Sequence, residues 1–308
     1  MRAVAAGVSD VGREREVNED RFALMPDFDL FVVADGMGGH ANGEVASTMA
    51  VGCLHHYFRQ HQNSGFPPRD LLYAALQEAN AEIFQQAMSG NDFRGMGTTV
   101  VAAMYDRARH KVLVAHAGDS RCYRIRHGEM SLLTRDHSLV EETKRQRPDT
   151  PDISLARLPS NVITRALGVE EVVEIELHEH DAVVGDVFLL CSDGLHGFAT
   201  EERVGELMGR HDNLVEACDA LVDEANDNGG GDNITVVLMR LVPPSPDWSE
   251  AFRPSQQAVV IPAPLDPAAV SPDDTARLGA ITDADAIVAN AATSAPPASI
   301  SEGPDSSR

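Results

Sequence analysis

Six carboxylates in this chain stand where apolar runs stop, most of them beside a glycine or another small residue. Asp35 follows Phe31-Val32-Val33-Ala34 and precedes Gly36-Met37-Gly38-Gly39-His40, while Asp193 follows Phe188-Leu189-Leu190-Cys191-Ser192 and precedes Gly194. Asp232 follows Gly229-Gly230-Gly231 and opens a further apolar run, Ile234-Thr235-Val236-Val237-Leu238. Asp119 lies in the turn Ala117-Gly118-Asp119-Ser120, and Glu19 and Asp20 sit side by side after Asn18, near the end of the first strand region. Any one of these is ordinary turn chemistry, because Asp beside Gly makes Asx-turns and helix caps. Six at strand mouths converge on one end of a sheet sandwich, where their mutual repulsion calls for cations. No His/Cys ligand spacing for zinc accompanies them, so the cation is hard and oxygen-loving, Mg²⁺ or Mn²⁺. The flanking glycines permit close backbone approach, which adds the Gly36 carbonyl to the candidate donors.

Two phosphate-binding patterns fail on context. Gly36-Met37-Gly38-Gly39-His40-Ala41 fits the dinucleotide fingerprint locally. The second strand with its terminal acid, due about 20 residues on, is replaced by His55-His56-Tyr57-Phe58-Arg59-Gln60, and Asp35 crowds any pyrophosphate. Cys53 and Arg59 match the C-x₅-R spacing of cysteine-dependent phosphatases, whose intervening amides must cradle phosphate in an open loop. Here Leu54-His55-His56-Tyr57-Phe58 continue a helical apolar pattern, so Cys53 reads as a core residue.

The acids need elements to hold them. Leu30–Ala34, Thr98–Met104, Val112–His116, Val187–Cys191 and the run from Ile234 to Leu238 read as buried strands. Val45, Met49, Cys53, Leu54, Tyr57 and Phe58 mark one helix, and Leu72, Ala75, Leu76, Ala79, Ile83 and Phe84 a second, started by Pro67-Pro68-Arg69-Asp70. Two helices after one strand, then Val112–His116, Arg121–Arg126 and Met130–Leu133 across short turns, describe antiparallel hairpins. The order predicts an α+β sandwich and argues against a doubly wound parallel sheet. Residues 136–160 are polar and Pro-bearing and read as a surface flap.

The acids outnumber the bases 48 to 25, a net charge of −23, which argues against nucleic acid and anionic membranes as partners. No apolar run approaches the ~20 residues of a membrane span, and Met1-Arg2-Ala3-Val4 opens no signal-peptide core. Cys53, Cys122, Cys191 and Cys218 lie far apart with no Cys-x-x-Cys pair, which fits reduced thiols in a cytoplasmic protein. Residues 243–308 hold 11 of the 17 prolines and 9 acids against 3 bases, a composition expected to stay disordered beside one compact domain over 1–242. Nothing in the sequence demands more than a monomer.

Taken in order, these residues resemble the type 2C (PPM) family of metal-dependent serine/threonine protein phosphatases, in its bacterial form. The motifs are Ser9-Asp10, Arg15, Asn18-Glu19-Asp20, Ala34-Asp35-Gly36-Met37-Gly38-Gly39-His40, Gly95-Met96-Gly97-Thr98-Thr99, His116-Ala117-Gly118-Asp119-Ser120-Arg121, Ser192-Asp193-Gly194-Leu195 and Gly231-Asp232-Asn233-Ile234-Thr235. The resemblance implies a four-layer α-β-β-α sandwich of two mainly antiparallel sheets flanked by helices, with two Mn²⁺ or Mg²⁺ ions in a cleft at one end. It implies that Asp35 bridges both metals, that Asp193 and Asp232 complete the first, and that the Gly36 carbonyl and, through water, Glu19 serve the second. Asp20 matches an acid that orients the waters, Arg15 the phosphate-binding arginine, and Asp119 the acid that shares a third metal with Asp193 in bacterial relatives. Residues 136–160 coincide with the family's variable flap. Met37 stands where some eukaryotic members carry a histidine proposed as general acid, which leaves the proton donor to the leaving oxygen unassigned. Gly197 stands where many members carry another Asp near the third metal, and His40 and His196 read as surface loop histidines, with a place behind the metal ligands as the alternative.

The implied reaction is hydrolysis of phosphoserine and phosphothreonine in proteins by a metal-bridged water, countering a serine/threonine kinase whose substrates are the partners. Two cations ~3.5–4 Å apart activate water near neutral pH and align it opposite the leaving oxygen. Ser192 is then not required as a nucleophile. The alternative is a catalytically inactive phosphoprotein-binding regulator of the same fold, disfavoured because all the acids of the two-metal centre are present.

Overall fold

Alternate side chains of the run before Asp35 enter different cores: Phe31 and Val33 face a layer between two sheets, while Leu30, Val32 and Ala34 pack under helices. This period of two is what a strand buried on both faces requires. The computed structural model describes residues 1–38, 42–90, 93–159 and 161–244. The expectations for His40 and for the tail beyond Pro244 lie outside them.

The strands are β1 (Arg2–Asp10), β2 (Asp20–Met25), β3 (Leu30–Met37), β4 (Gly97–Thr98), β5 (Val100–Asp106), β6 (Lys111–Ala117), β7 (Arg121–Arg126), β8 (Glu129–Leu132), β9 (Glu176–Asp181), β10 (Val187–Cys191) and β11 (Ile234–Val242). The α-helices are α1 (Asn42–His61), α2 (Pro68–Met88), α3 (Leu139–Gln146), α4 (Asp152–Leu155), α5 (Asp193–His196), α6 (Glu201–Arg210) and α7 (Leu214–Asp227). One sheet runs β1-β11-β10-β7-β8 and the other β2-β3-β5-β6-β9, with β4 added to β3. Every strand pairing among the described residues is antiparallel. Phe22, Phe31, Tyr105, Phe188, Leu190 and Val237 fill the layer between the sheets, and burying side chains of this size contributes roughly 1.5–3 kcal/mol each. Helices α1 and α2 cover the outer face of the second sheet, and α6 and α7 that of the first. The fold is the expected α-β-β-α sandwich.

Register brings the acids to one end. Asp20 pairs directly with Asp35 across β2 and β3, and Val100 pairs with Ala117, two residues before Asp119. In the facing sheet Asp10 pairs with Ile234, two residues after Asp232, and Cys191 with Val236.

Three local expectations shift. Asp35 does not end its strand: β3 continues to Met37 because Gly36 pairs with Thr98 and Met37 with Gly97. The strand expected over Thr98–Met104 breaks at Thr99, whose amide donates to the Asp35 carbonyl at 2.8 Å. Asp20 opens β2 and Glu19 directly precedes it, after a loop whose Arg13 amide donates to the Gly230 carbonyl at 2.7 Å. The segment from 136 is folded: α3 and α4 form there, and its root is pinned by Leu139 N–H to the Val162 carbonyl (2.9 Å) and Thr164 N–H to the His137 carbonyl (2.7 Å).

Candidate active site

Polar residues in or beside the strands place four of the acids. The Asp35 carbonyl accepts from Thr98 Oγ1 (2.8 Å), and its amide donates to Thr99 Oγ1 (3.2 Å). Asp20, 2% exposed, accepts from Ser192 Oγ at 2.7 Å, and the same hydroxyl accepts from the Thr235 amide at 3.0 Å. Asp20 also bonds the Thr235 side chain. Asn233 is a hub: its amide nitrogen donates to the Val11 and Val17 carbonyls, and its Oδ1 accepts from the Glu19 amide at 2.8 Å. Its own N–H donates to Asp232 Oδ1 at 2.8 Å, so one side chain and its backbone set both Glu19 and Asp232.

Glycine makes the approach of α1 possible. A Cβ on Gly36 would lie 2.1 Å from the Gly43 carbonyl oxygen and 2.6 Å from that of Glu19. Ser47 Oγ, from the second turn of α1, donates to the same Glu19 carbonyl at 2.5 Å.

The electrostatics are those of buried carboxylates crowded together. Burial, and then the charges of Asp20, Asp193, Asp119 and Asp232, hold the Asp35 carboxyl well above the ordinary range. Burial pushes Asp20 up to about 7, reinforced by Asp193 and Asp232 and opposed by the Thr235 and Ser192 hydroxyls. Burial and the charge of Asp193 push Asp119 up to about 7. Asp193 and Glu19 are raised by burial as well, Asp193 further by the charge of Asp232. Glu19 Oε1 and Asp119 Oδ1 are buried with no hydrogen-bond partner. A buried carboxylate oxygen without a partner costs several kcal/mol unless a cation meets it. All-oxygen donors of this kind suit a hard divalent ion, so the residues fit a metal centre.

All seven residues singled out from the sequence, Arg15, Glu19, Asp20, Asp35, Asp119, Asp193 and Asp232, meet at this end, with the Gly36 backbone among them. Arg15 Nη2 donates to Asp232 Oδ2 at 2.8 Å, with its side chain half-exposed. His196 is part-buried, not a free loop histidine, and its Nε2 donates to the Asp119 carbonyl at 3.1 Å. A cleft of about 400 Å³ opens beside Asp119, Asp193 and Asp232, lined on its far wall by Asp136, Ser138, Val140, Glu141 and Lys144 from the flap. Sequence reasoning quoted Asn18 and Asn233 within motifs without giving them work, and it passed over Ser192 and Thr235 as bracing for Asp20. Their signal is a polar residue interrupting or ending an apolar strand.

Residues 11–226 match the protein phosphatase 2C family. The serine/threonine phosphatase stp of Listeria innocua is 39% identical over 236 residues, covering 75% of this chain and 93% of that protein. The Mycobacterium tuberculosis phosphatase PstP is 36% identical over 240 residues, 77% of this chain and 45% of the longer PstP. The crystal structure of the M. tuberculosis phosphatase PstP/Ppp superposes with a TM-score of 0.71 at 34% identity, covering 79% of this chain and all of that one. A PstP catalytic domain in complex with two manganese ions superposes at 0.66 and 33% identity, over 78% of this chain and 99% of that one. The acid-lined end of this two-sheet sandwich therefore sits in a chain that belongs to the protein phosphatase 2C family, as a metal-dependent serine/threonine protein phosphatase of the bacterial type.

Proposed function

We propose that Asp35, Asp193 and Asp232 hold one Mn²⁺ or Mg²⁺ ion, and that Asp35, the Gly36 carbonyl and, through water, Glu19 hold a second. Asp119 and Asp193 serve a third. The observation that carries this reading is the pair of buried, partnerless oxygens, Glu19 Oε1 and Asp119 Oδ1, among aspartates whose charges repel one another. When bound, the cations neutralise phosphoryl charge and acidify the attacking water.

The chain's own groups do the rest. Asp20, fixed by Ser192 and Thr235, orients water at the centre without needing to touch a cation. Arg15 spends one N–H on Asp232, and the remaining donors of its guanidinium suit phosphoryl oxygens in the neighbouring cleft. The flap wall gives a protein substrate its purchase beyond the phosphate. No side chain has to become phosphorylated, so Ser192 stays a brace.

The substrates are phosphoserine and phosphothreonine proteins, among them a serine/threonine kinase and its targets. The enzyme works as a monomer in the cytoplasm, consistent with four free cysteines; among the described residues no helix is long and apolar enough to cross a membrane. The catalytic unit spans residues 1–242, a reading supported by the pairing of Val242 at the end of β11 with Arg2 at the start of β1.

Incubation with a phosphothreonine peptide in Mn²⁺, followed by chelator, tests the reading. Phosphate release that stops on chelation supports it, and no chelator-sensitive release leaves only a regulator without turnover.

A further inference from the structure

Two stacked histidines outside the acid cluster sit beside the turn that carries Asp119, and one of them grips it. His116, in β6 and 1% exposed, donates from Nε2 to the Arg135 carbonyl at 2.8 Å, which leaves its buried Nδ1 without a partner. His137, at the root of the flap and 6% exposed, stacks on it with ring centroids 4.5 Å apart and planes 10° from parallel. The Gly118 amide donates to His137 Nδ1 at 3.2 Å, while the His137 amide donates to the Gly118 carbonyl at 2.9 Å. A main-chain amide only donates, so Nδ1 is the bare nitrogen and the ring proton sits on Nε2. Nε2 then donates to Glu176 Oε2 at 3.1 Å, and Glu176 Oε1 accepts from His178 at 2.8 Å. Arg165 Nη1 stands beside this bond at 3.5 Å, with its charge matched by Glu174 at 3.0 Å.

His116, His137 and Glu176 gather as metal ligands do, but the ring geometry speaks against a cation. A metal lies in the plane of each imidazole it binds, and two nearly parallel stacked rings share no such point. The bare nitrogen of His137 is also already occupied by Gly118.

Gly118 is gripped from its other side too. Its φ is +120°, and a Cβ there would come within 2.5 Å of Thr99 Cβ. Thr99 Oγ1 in turn meets Ser120 Oγ at 2.7 Å. The one residue between these fixed points is Asp119, whose Oδ1 is buried and unpartnered.

We propose that His137 is a positioning residue for the metal centre: by holding both polar groups of Gly118 it sets Asp119 in place and ties that turn to the root of the flap. The proposal rests on the reading of Asp119 as a cation ligand. Outer partners that orient ligands are worth roughly 10–100-fold in metal affinity.

The test compares two amides that each keep one end of the ring. In His137→Asn the side-chain oxygen sits near the place of Nδ1 and still accepts from Gly118; in His137→Gln the amide reaches the place of Nε2 and keeps Glu176 alone. Mn²⁺ titration of both by calorimetry, with urea midpoints alongside, is expected to give His137→Asn binding close to wild type. In His137→Gln the weakest site should lose about tenfold or more in affinity, whatever the ranking of the two midpoints. Equal Mn²⁺ binding by the two variants, or binding that merely follows their stabilities, overturns the proposal. Asp119→Asn is the control. If it removes the weakest site while His137→Gln binds normally, positioning by His137 fails and the role of Asp119 stands. If Asp119→Asn changes nothing, both fall.

Discussion

Glu19 and Asn233, 214 positions apart, are joined by a 2.8 Å hydrogen bond from the Glu19 amide to Asn233 Oδ1. The bond sets the residue before β2 in the second sheet against the residue before β11 in the first. Because Asn233 also holds Asp232 and the carbonyls of Val11 and Val17, it joins the two sheets at the point where the carboxylates meet. Asn233→Ala strands three main-chain groups at about 1–3 kcal/mol per buried unsatisfied group. The expected result is a loss of at least about 2 kcal/mol in urea unfolding together with weaker Mn²⁺ binding. A variant that loses stability but binds Mn²⁺ as wild type does would show that Asn233 braces the sheets alone.

Asp193→Asn is expected to abolish phosphate release while raising the stability of the metal-free protein. One charge leaves a cluster in which Asp35, Asp193 and Asp232 repel one another, and such sites exchange stability for function. Urea midpoints in chelator and turnover in Mn²⁺ check the two halves separately.

Arg15→Ala should chiefly raise KM for phosphopeptides and leave kcat near wild type, because contact with phosphoryl oxygens is made in ground and transition states alike. Its other contact is Asp232. A normal KM with a lowered kcat would instead assign Arg15 to ordering that ligand.

Gly36→Ala tests the close approach of α1. The added methyl must displace the Gly43 carbonyl, 2.1 Å away, and overpacking of this kind costs about 1–3 kcal/mol. Reduced stability with a higher Mn²⁺ requirement is expected, and an unperturbed variant would contradict the packing described.

The stacked histidines give a pH signature. Burial pulls His116 down to about 4 from 6.5, with His137 and His178 lowering it and the Arg135 carbonyl and Glu176 raising it. Between those values the His116 ring binds more protons in the unfolded chain than in the folded one. The neutral ring's contribution is thus complete above about pH 6.5 and is lost as pH falls toward 4. His116→Phe keeps the stack and removes the titration, at the cost of one bond to Arg135. The stability gap between wild type and variant should therefore shrink from pH 7.5 to 4.5. The raised carboxyls of Asp20, Asp35 and Asp119 titrate in the opposite sense but are common to both proteins. A pH-independent gap in urea midpoints would refute the assignment.

The acids were legible in the sequence because each ends or interrupts an apolar run, and a period of two marks such runs wherever both faces are buried, as at Leu30–Ala34. The edge strand β9 was not legible: Glu-Leu-His-Glu-His-Asp has one apolar residue, and β9 gets its place from pairing with β6. Helices α6 and α7 went unread, although Leu214, Ala217, Cys218, Leu221, Val222 and Ala225 repeat at helical spacing between capping residues. The extent of β3 was hidden because Gly36-Met37 carries no strand signal and is extended only by β4. The hub at Asn233 and the grip of His137 on Gly118 depend on which atoms meet across more than a hundred residues or around a turn, and one-dimensional pattern carries neither.

The central claim is that these carboxylates hold a pair of divalent ions. Anomalous diffraction at the manganese edge from crystals grown in Mn²⁺ tests it most directly. Two strong peaks are expected, one among Asp35, Asp193 and Asp232 and one beside Asp35, the Gly36 carbonyl and Glu19. Peaks elsewhere, or none at saturating Mn²⁺, would contradict it.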